Sequence, residues 1–231
     1  MTDRAHVLDA LGTVYDPELD EPITSLEFVT SCDVSAEGDV DVRLRLPTPQ
    51  CAPNFAYLMA ADARDAVRRL PEVGEVTVIL EDHYTGDEIN GAVGRGAAFA
   101  EAFPGETQGE LDALRSLFQR KALVARQSHV CEQLKAGGTT LEEMASQRVA
   151  DLPDGPEARR CLELRESLGI TVGADAAAFV TPDGEPIAAA DMRRFMRMAQ
   201  LVRTSLEANG GICRSLLASR YGVPVPEEVA A

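Results

Sequence analysis

The run Val40-Asp41-Val42-Arg43-Leu44-Arg45-Leu46 alternates without a break, with four aliphatics on one parity and Asp, Arg, Arg on the other. Side chains leave an extended strand on opposite faces with a period of two, so this stretch reads as a half-buried strand. The turn residues Ser35-Ala36-Glu37-Gly38 precede it, and a second apolar stretch near Leu26–Val34 precedes the turn. Together they predict an antiparallel hairpin with one face to be covered by other elements.

The cover is available on both sides. Val7, Leu8, Leu11, Val14 and Tyr15 recur at helical spacing, which predicts a helix over residues 3–15, capped by Thr2 and ended by Asp16-Pro17. Phe55, Leu58, Met59, Ala63, Ala66, Val67 and Leu70 share one face of a second helix that Pro71 stops. Val76, Val78 and Leu80 then give a third strand. The order α-β-β-α-β over residues 1–82 predicts a two-layer sandwich. Residues 83–109, rich in Gly and Ala and without a firm period, read as a linker. Residues 110–231 read as a mostly helical domain, so the fold class of the chain is α+β. Its expected elements are a helix over 110–135 ending at Gly137-Gly138, a helix opened by the capping box Thr140-Leu141-Glu142-Glu143, and a helix over 157–168. A short hairpin follows at Pro182-Asp183-Gly184. Asp191 is expected to cap a long helix with a Phe195, Met198, Ala199, Val202, Leu206 stripe, ended by Asn209-Gly210-Gly211. A last helix covers Ile212–Tyr221.

Composition removes several function classes. With 22 basic against 38 acidic residues the formal net charge is −16, which disfavours phosphate backbones and anionic lipid. No nucleic acid and no membrane is therefore expected as a partner, and the early acids of the N-terminus argue for a cytoplasmic protein. The five cysteines, at 32, 51, 131, 161 and 213, are scattered and form no CxxC pair, so they read as reduced thiols rather than a zinc ribbon or ferredoxin site.

The segment with most chemical promise is Pro47-Thr48-Pro49-Gln50-Cys51-Ala52-Pro53, a stiff turn between the alternating strand and the second helix. A cysteine is a ligand or nucleophile as its thiolate, and a helix N-terminus favours that form. The competing reading is a small apolar residue packed between strand and helix. Cys213, after Gly210-Gly211, is a second thiol at an expected helix start, where an ordinary helix terminator is the competing explanation. His83, among Glu81, Asp82, Asp87 and Glu88, reads as part of a solvated acidic connector rather than a metal site. No GxSxG, P-loop, HExxH or GxGxxG motif occurs.

The pattern VLDALGTVYDPELDEPITSLEFV followed by DVDVRLRLPTPQCAPNFAYLMAADARDAVRRLPEVGEVTVIL resembles the SufT/PaaD-type family over about residues 3–80. The eukaryotic relatives of that family belong to the cytosolic iron–sulfur assembly machinery. The resemblance implies that Cys51 is the residue tied to metal or cluster handling, that Asp16 and Glu18 are its acidic pair, and that Thr48 fixes the turn at the site of a bound cofactor. It implies a non-enzymatic factor carrying transient iron or an iron–sulfur cluster. The implied partners are a client metalloenzyme or iron–sulfur assembly proteins, with a homo-oligomer as a further option. Bacterial relatives act beside multicomponent oxygenases, so a di-iron oxygenase is a reasonable client. The alternatives are a client-specific folding or assembly chaperone without metal and, from the residues alone, thiol chemistry at Cys51. The sequence departs from the family pattern at Pro47 in place of a first threonine, at Ala52 between Cys51 and Pro53, and at Leu26-Glu27 in place of Leu-Gly. Such departures either reshape the turn for a particular client or weaken cluster binding.

Overall fold

The structure, a computed structural model, describes residues 2–105 and 108–223. The chain divides into two compact units, Met1–Ala113 with Asn209–Ala231, and Leu114–Ala208.

The first unit is built on three strands in the order β3-β4-β5. They are β3 (Val29–Val34), β4 (Val40–Arg45) and β5 (Val76–Glu81), preceded by a two-residue ribbon of β1 (Tyr15–Asp16) and β2 (Glu21–Pro22). β3 and β4 form the expected antiparallel hairpin, with an irregularity between Val29 and Ser31. β5 joins β4 in parallel, in the register Val40↔Val76, Val42↔Val78 and Leu44↔Leu80. A parallel pair needs a crossover, and α2 (Pro53–Arg68) supplies it. The aliphatic members of these register pairs are all buried, so the period-two pattern marks one continuous apolar face. α2 covers it with Leu58, Met59, Ala63 and Val67, and α1 (Arg4–Leu11) adds Val7 and Leu11.

Several sequence expectations change here. α1 is shorter than 3–15 and is capped by Asp3, which accepts the His6 N–H. Thr2 is buried instead and donates its hydroxyl to Pro71 O at 2.5 Å. Gly12 ends the helix, so Asp16-Pro17 opens the loop of the small ribbon rather than stopping a helix. Residues 83–109, read above as a linker, carry α3 (Gly86–Arg95) and α4 (Phe99–Ala102), and Ile89, Ala92, Val93 and Phe99 are buried in the same core. The Asn90 amide accepts the Leu80 N–H at 2.8 Å and donates to Leu80 O at 3.0 Å. It thereby pairs the free edge of β5 as another strand would.

The second unit contains most of α5 (Gln108–Ala136), then α6 (Leu141–Ser146), α7 (Pro156–Ser167) and the start of α8 (Ala189–Tyr221). α6 opens at Thr140 with the anticipated capping box. Its core gathers Leu123, Val130, Met144, Leu164, Phe179 and Phe195. The expected hairpin reduces to a single bridge, Val180↔Pro186. The extended stretch before it is held by side chains: buried Arg165 donates to Ala177 O and Ala178 O, and the Gln127 amide pairs with both backbone groups of Val180. Met198, placed above on an apolar stripe, is exposed.

α8 is the largest departure. It runs unbroken for 33 residues through Asn209-Gly210-Gly211, and its last turns belong to the first unit. A Cβ on Gly210 would stand 2.8 Å from Glu21 Oε1, and Glu21 is ion-paired with Arg214. The glycine lies beside this ion pair inside the helix and does not terminate it. No helix among the described residues is long and apolar enough to cross a membrane.

Exposed Glu27 has φ 58°, in the left-handed region that side chains with a Cβ disfavour. It occupies the position at which the SufT/PaaD pattern has glycine. Glu27→Gly is accordingly expected to raise the unfolding free energy by about 0.5–1 kcal/mol, the relief of strain exceeding the entropy glycine returns to the unfolded chain. A denaturant melt showing a loss of stability would contradict this account.

Candidate functional site

Parallel pairing sets the location of the site. The carboxyl ends of β4 and β5 point the same way, so the loop after β4, with Thr48 and Cys51, lies beside the loop after β5, with Asp82 and His83. The two loops are joined directly: Tyr84 N donates to Pro49 O at 3.0 Å, and His83 Nε2 lies 2.8 Å from Cys51 O. His83 Nδ1 accepts from Thr85 N at 3.3 Å, so the proton resides on Nε2, which donates to the Cys51 carbonyl. Asp82 has φ 47°, and this left-handed residue turns the chain out of β5 to present the imidazole. His83 is thus a structural partner of the cysteine turn, not part of a solvated connector. A sequence reading that leaves the β4–β5 direction open has no means of placing it there.

Thr48 and Cys51 form a tight turn in which Cys51 N donates to Thr48 O at 3.3 Å. Thr48 Oγ1 accepts the Gln50 N–H at 3.2 Å and stands 3.6 Å from Cys51 Sγ. With a lone pair already engaged, the hydroxyl proton is available to the sulfur. Pro53 begins α2, and Ala52, which interrupts the family's Cys-Pro, occupies the N-cap without any side-chain cap. Cys51 is half-buried, neither sealed in the core nor fully open. Beside the turn, an open cleft of about 570 Å³ is lined by Ala52, Asn54, Thr85, Phe103 and Pro104 among others.

Asp16 and Glu18 differ from each other. Glu18 is exposed. Asp16 is buried, and its Oδ1 accepts the Glu18 and Leu19 N–H groups at 2.8 and 3.0 Å, which locks the loop of the β1–β2 ribbon. Burial pushes its carboxyl up to about 6, against those two hydrogen bonds, with Glu18 and Glu21 adding like charge.

Cys213 joins this group. Burial first, and then the electrostatic influence of Asp16, Cys51 and Glu18, raise its thiol to about 11. It therefore stands within electrostatic reach of all three residues that the sequence had assigned to metal. Its expected place at the start of a helix is not what brings it there, since it lies in mid-helix; the unbroken course of α8 does. Cys32, Cys131 and Cys161 are buried, and burial raises Cys131 to about 12. Among the described residues, no group of three or more His, Cys, Asp or Glu side chains is disposed to hold a metal ion.

Comparison with known proteins gives a consistent outline. The sequence model of a family described as iron-sulfur cluster assembly protein matches residues 4–78. An uncharacterized protein of Methanocaldococcus jannaschii is 34% identical over 90 residues, which is 39% of this chain and 93% of that protein. No solved structure matches. The family match includes Asp16, Glu18, Thr48 and Cys51, and it ends before α3 and far before Cys213.

The raised Asp16 carboxyl has a measurable consequence. Its ordinary value is 3.8, so the unfolded chain ionises first as pH rises, and the folded state carries the cost of a desolvated charge once pH exceeds about 6. Asp16→Asn keeps the acceptor for the Glu18 and Leu19 N–H groups without the charge. The variant is expected to exceed the parent in stability by on the order of 2–3 kcal/mol above pH 7, with the difference vanishing towards pH 4. Denaturant melts at the two pH values check this, and a pH-independent difference would refute it.

Proposed function

Since the chain belongs, through its first third, to the iron–sulfur cluster assembly protein family, we propose that it is a non-enzymatic maturation factor that holds iron or an iron–sulfur cluster transiently at Cys51 and passes it to a client metalloenzyme. The observation that carries this reading is the state of the Cys51 turn. The sulfur is partly accessible, a hydroxyl lies 3.6 Å away, and a histidine from the neighbouring strand end fixes the carbonyl of the same residue. Such a frame supports a soft ligand in a set geometry rather than a packing side chain.

A cargo at Cys51 would be iron or a cluster received from assembly proteins, with Asp16 and Glu18 as supporting acids. A single thiolate cannot complete an iron or cluster site, so further donors come from the client, a partner protein or a small thiol, which suits transfer rather than storage. Thr48 stabilises the sulfur through its hydroxyl. The cleft beside the turn, with Phe103 and Pro104 in its wall, offers room for an apolar client segment close to the cargo. The client we favour is a multicomponent oxygenase, including a di-iron one.

Anaerobic reconstitution with ferrous iron and sulfide tests the assignment. The parent is expected to take up iron and Cys51→Ser to lose most of it. Thr48→Val, which keeps shape and removes the hydroxyl, should weaken uptake by roughly 10–100-fold, as loss of a supporting hydrogen bond does at metal sites. Equal and negligible iron in parent and Cys51→Ser would reject metal carriage and leave a metal-free chaperone as the better description.

A further inference from the structure

The second unit differs from the rest of the chain in charge. It carries 13 basic and 13 acidic residues, so the whole excess of −16 lies outside it. Charges more than about 8 Å away are largely screened at physiological salt, so an anion that meets this unit responds to the side chains nearest to it. Within the unit lies a cleft of about 460 Å³, a volume in the range of small-molecule sites. α5 lines it with Ser128, Cys131, Glu132 and Lys135, and α8 with Arg193, Met196, Arg197 and Gln200. Both sets have the spacing i, i+3, i+4, i+7, so each helix turns one face to the cleft. Residues 139–141 complete the lining. Cys131 is fully buried and Met196 half-buried, whereas Lys135, Arg193 and Arg197 are exposed, so an apolar floor carries a cationic rim.

The charge of that rim is uncompensated. Glu132, the one acid of the lining, is taken by Arg203, which donates to both of its carboxylate oxygens. The other acids that pair in this unit hold Arg120, Arg126 and Arg160. Among the described residues, none of Lys135, Arg193 and Arg197 forms an ion pair. Arg193 and Arg197 stand four apart on one helix, a spacing at which like charges repel. An anion in the cleft would remove that repulsion.

We infer that this cleft binds a small molecule bearing two or more oxyanion groups, carboxylate or phosphate, with Arg193 and Arg197 holding one group and Lys135 another. Guanidinium forks match both carboxylate and phosphate oxygens, and the lysine acts as a point charge. Every residue of the site lies beyond the family match, so it is independent of the reading of Cys51.

Calorimetric titration of the full chain with citrate and, separately, with inorganic pyrophosphate tests this at an ionic strength held constant with sodium chloride. Saturable one-to-one binding of at least one probe is expected, and the tighter of the two identifies the source as polycarboxylate or phosphate. Arg193→Gln, Arg197→Gln and Lys135→Gln should each weaken it by about tenfold, the scale of a lost charge-assisted contact. Arg194→Gln removes the same charge from the neighbouring exposed position, outside the lining, and should change affinity by less than about twofold. Far-ultraviolet circular dichroism should be unchanged in all four, since none of these side chains is in the core. An equal loss in Arg194→Gln and Arg193→Gln would reduce the effect to general charge and overturn the site. Failure of both probes to saturate at millimolar concentration would overturn it as well.

Discussion

Parallel pairing of β4 with β5 is the constraint on which the arrangement of the first unit depends. Antiparallel neighbours would have sent the loops after the two strands to opposite ends of the sheet. The α2 crossover sends them to the same end, and the Cys51 carbonyl then has the His83 imidazole as its partner. The crossover also puts the start of α2 directly after Cys51, so the elements that close the core also shape the turn. Crevices outside the carboxyl ends of parallel strands are recurrent ligand sites for this reason, since loops from separate strands meet there while the sheet behind them stays rigid.

The electrostatics at this end of the sheet run against stability. A carboxyl buried beside two other acids costs the folded state, once ionised, something that an apolar replacement would not. The two Asp16 hydrogen bonds offset part of the cost and account for the shape of the ribbon loop, but an asparagine would satisfy them equally. The ionised Asp16 carboxylate would be relieved by positive charge.

Much of the fold was legible because it is written in periodicity. The alternation of Val40–Leu46 and the 3.6-residue stripe of α2 fix the hairpin and its covering layer, and the Thr140–Glu143 capping box fixes a helix start to the residue. Less was legible where one residue type serves two physical ends. Gly210-Gly211 has the composition of a terminator, yet both glycines sit inside the unbroken α8. Glu27 adopts a left-handed conformation that nothing in its identity announces. Residues 86–95 looked like linker because Gly and Ala dilute the apolar stripe, although Ile89, Ala92 and Val93 are buried at helical spacing. Of the candidate site, Cys51 and Thr48 could be read from a local motif. His83 and Cys213 could not, because strand direction and an unbroken helix bring them in, and neither is a local property.

The end of α8 shows how such a long-range placement is held. Its ion pairs are partly exposed, and pairs of that kind contribute on the order of 0–1 kcal/mol each. The Arg45–Tyr221 stack belongs to a class worth about 0.5–1 kcal/mol at a partly exposed position. Leu217 is the one side chain here that is fully buried, and burying a leucine contributes about 1.5–3 kcal/mol. Apolar burial therefore supplies most of the attachment, and the polar contacts select the register: a helix rotated by one residue could still bury an aliphatic, but it could not keep Gly210 at Glu21 and Tyr221 at Asp82 together.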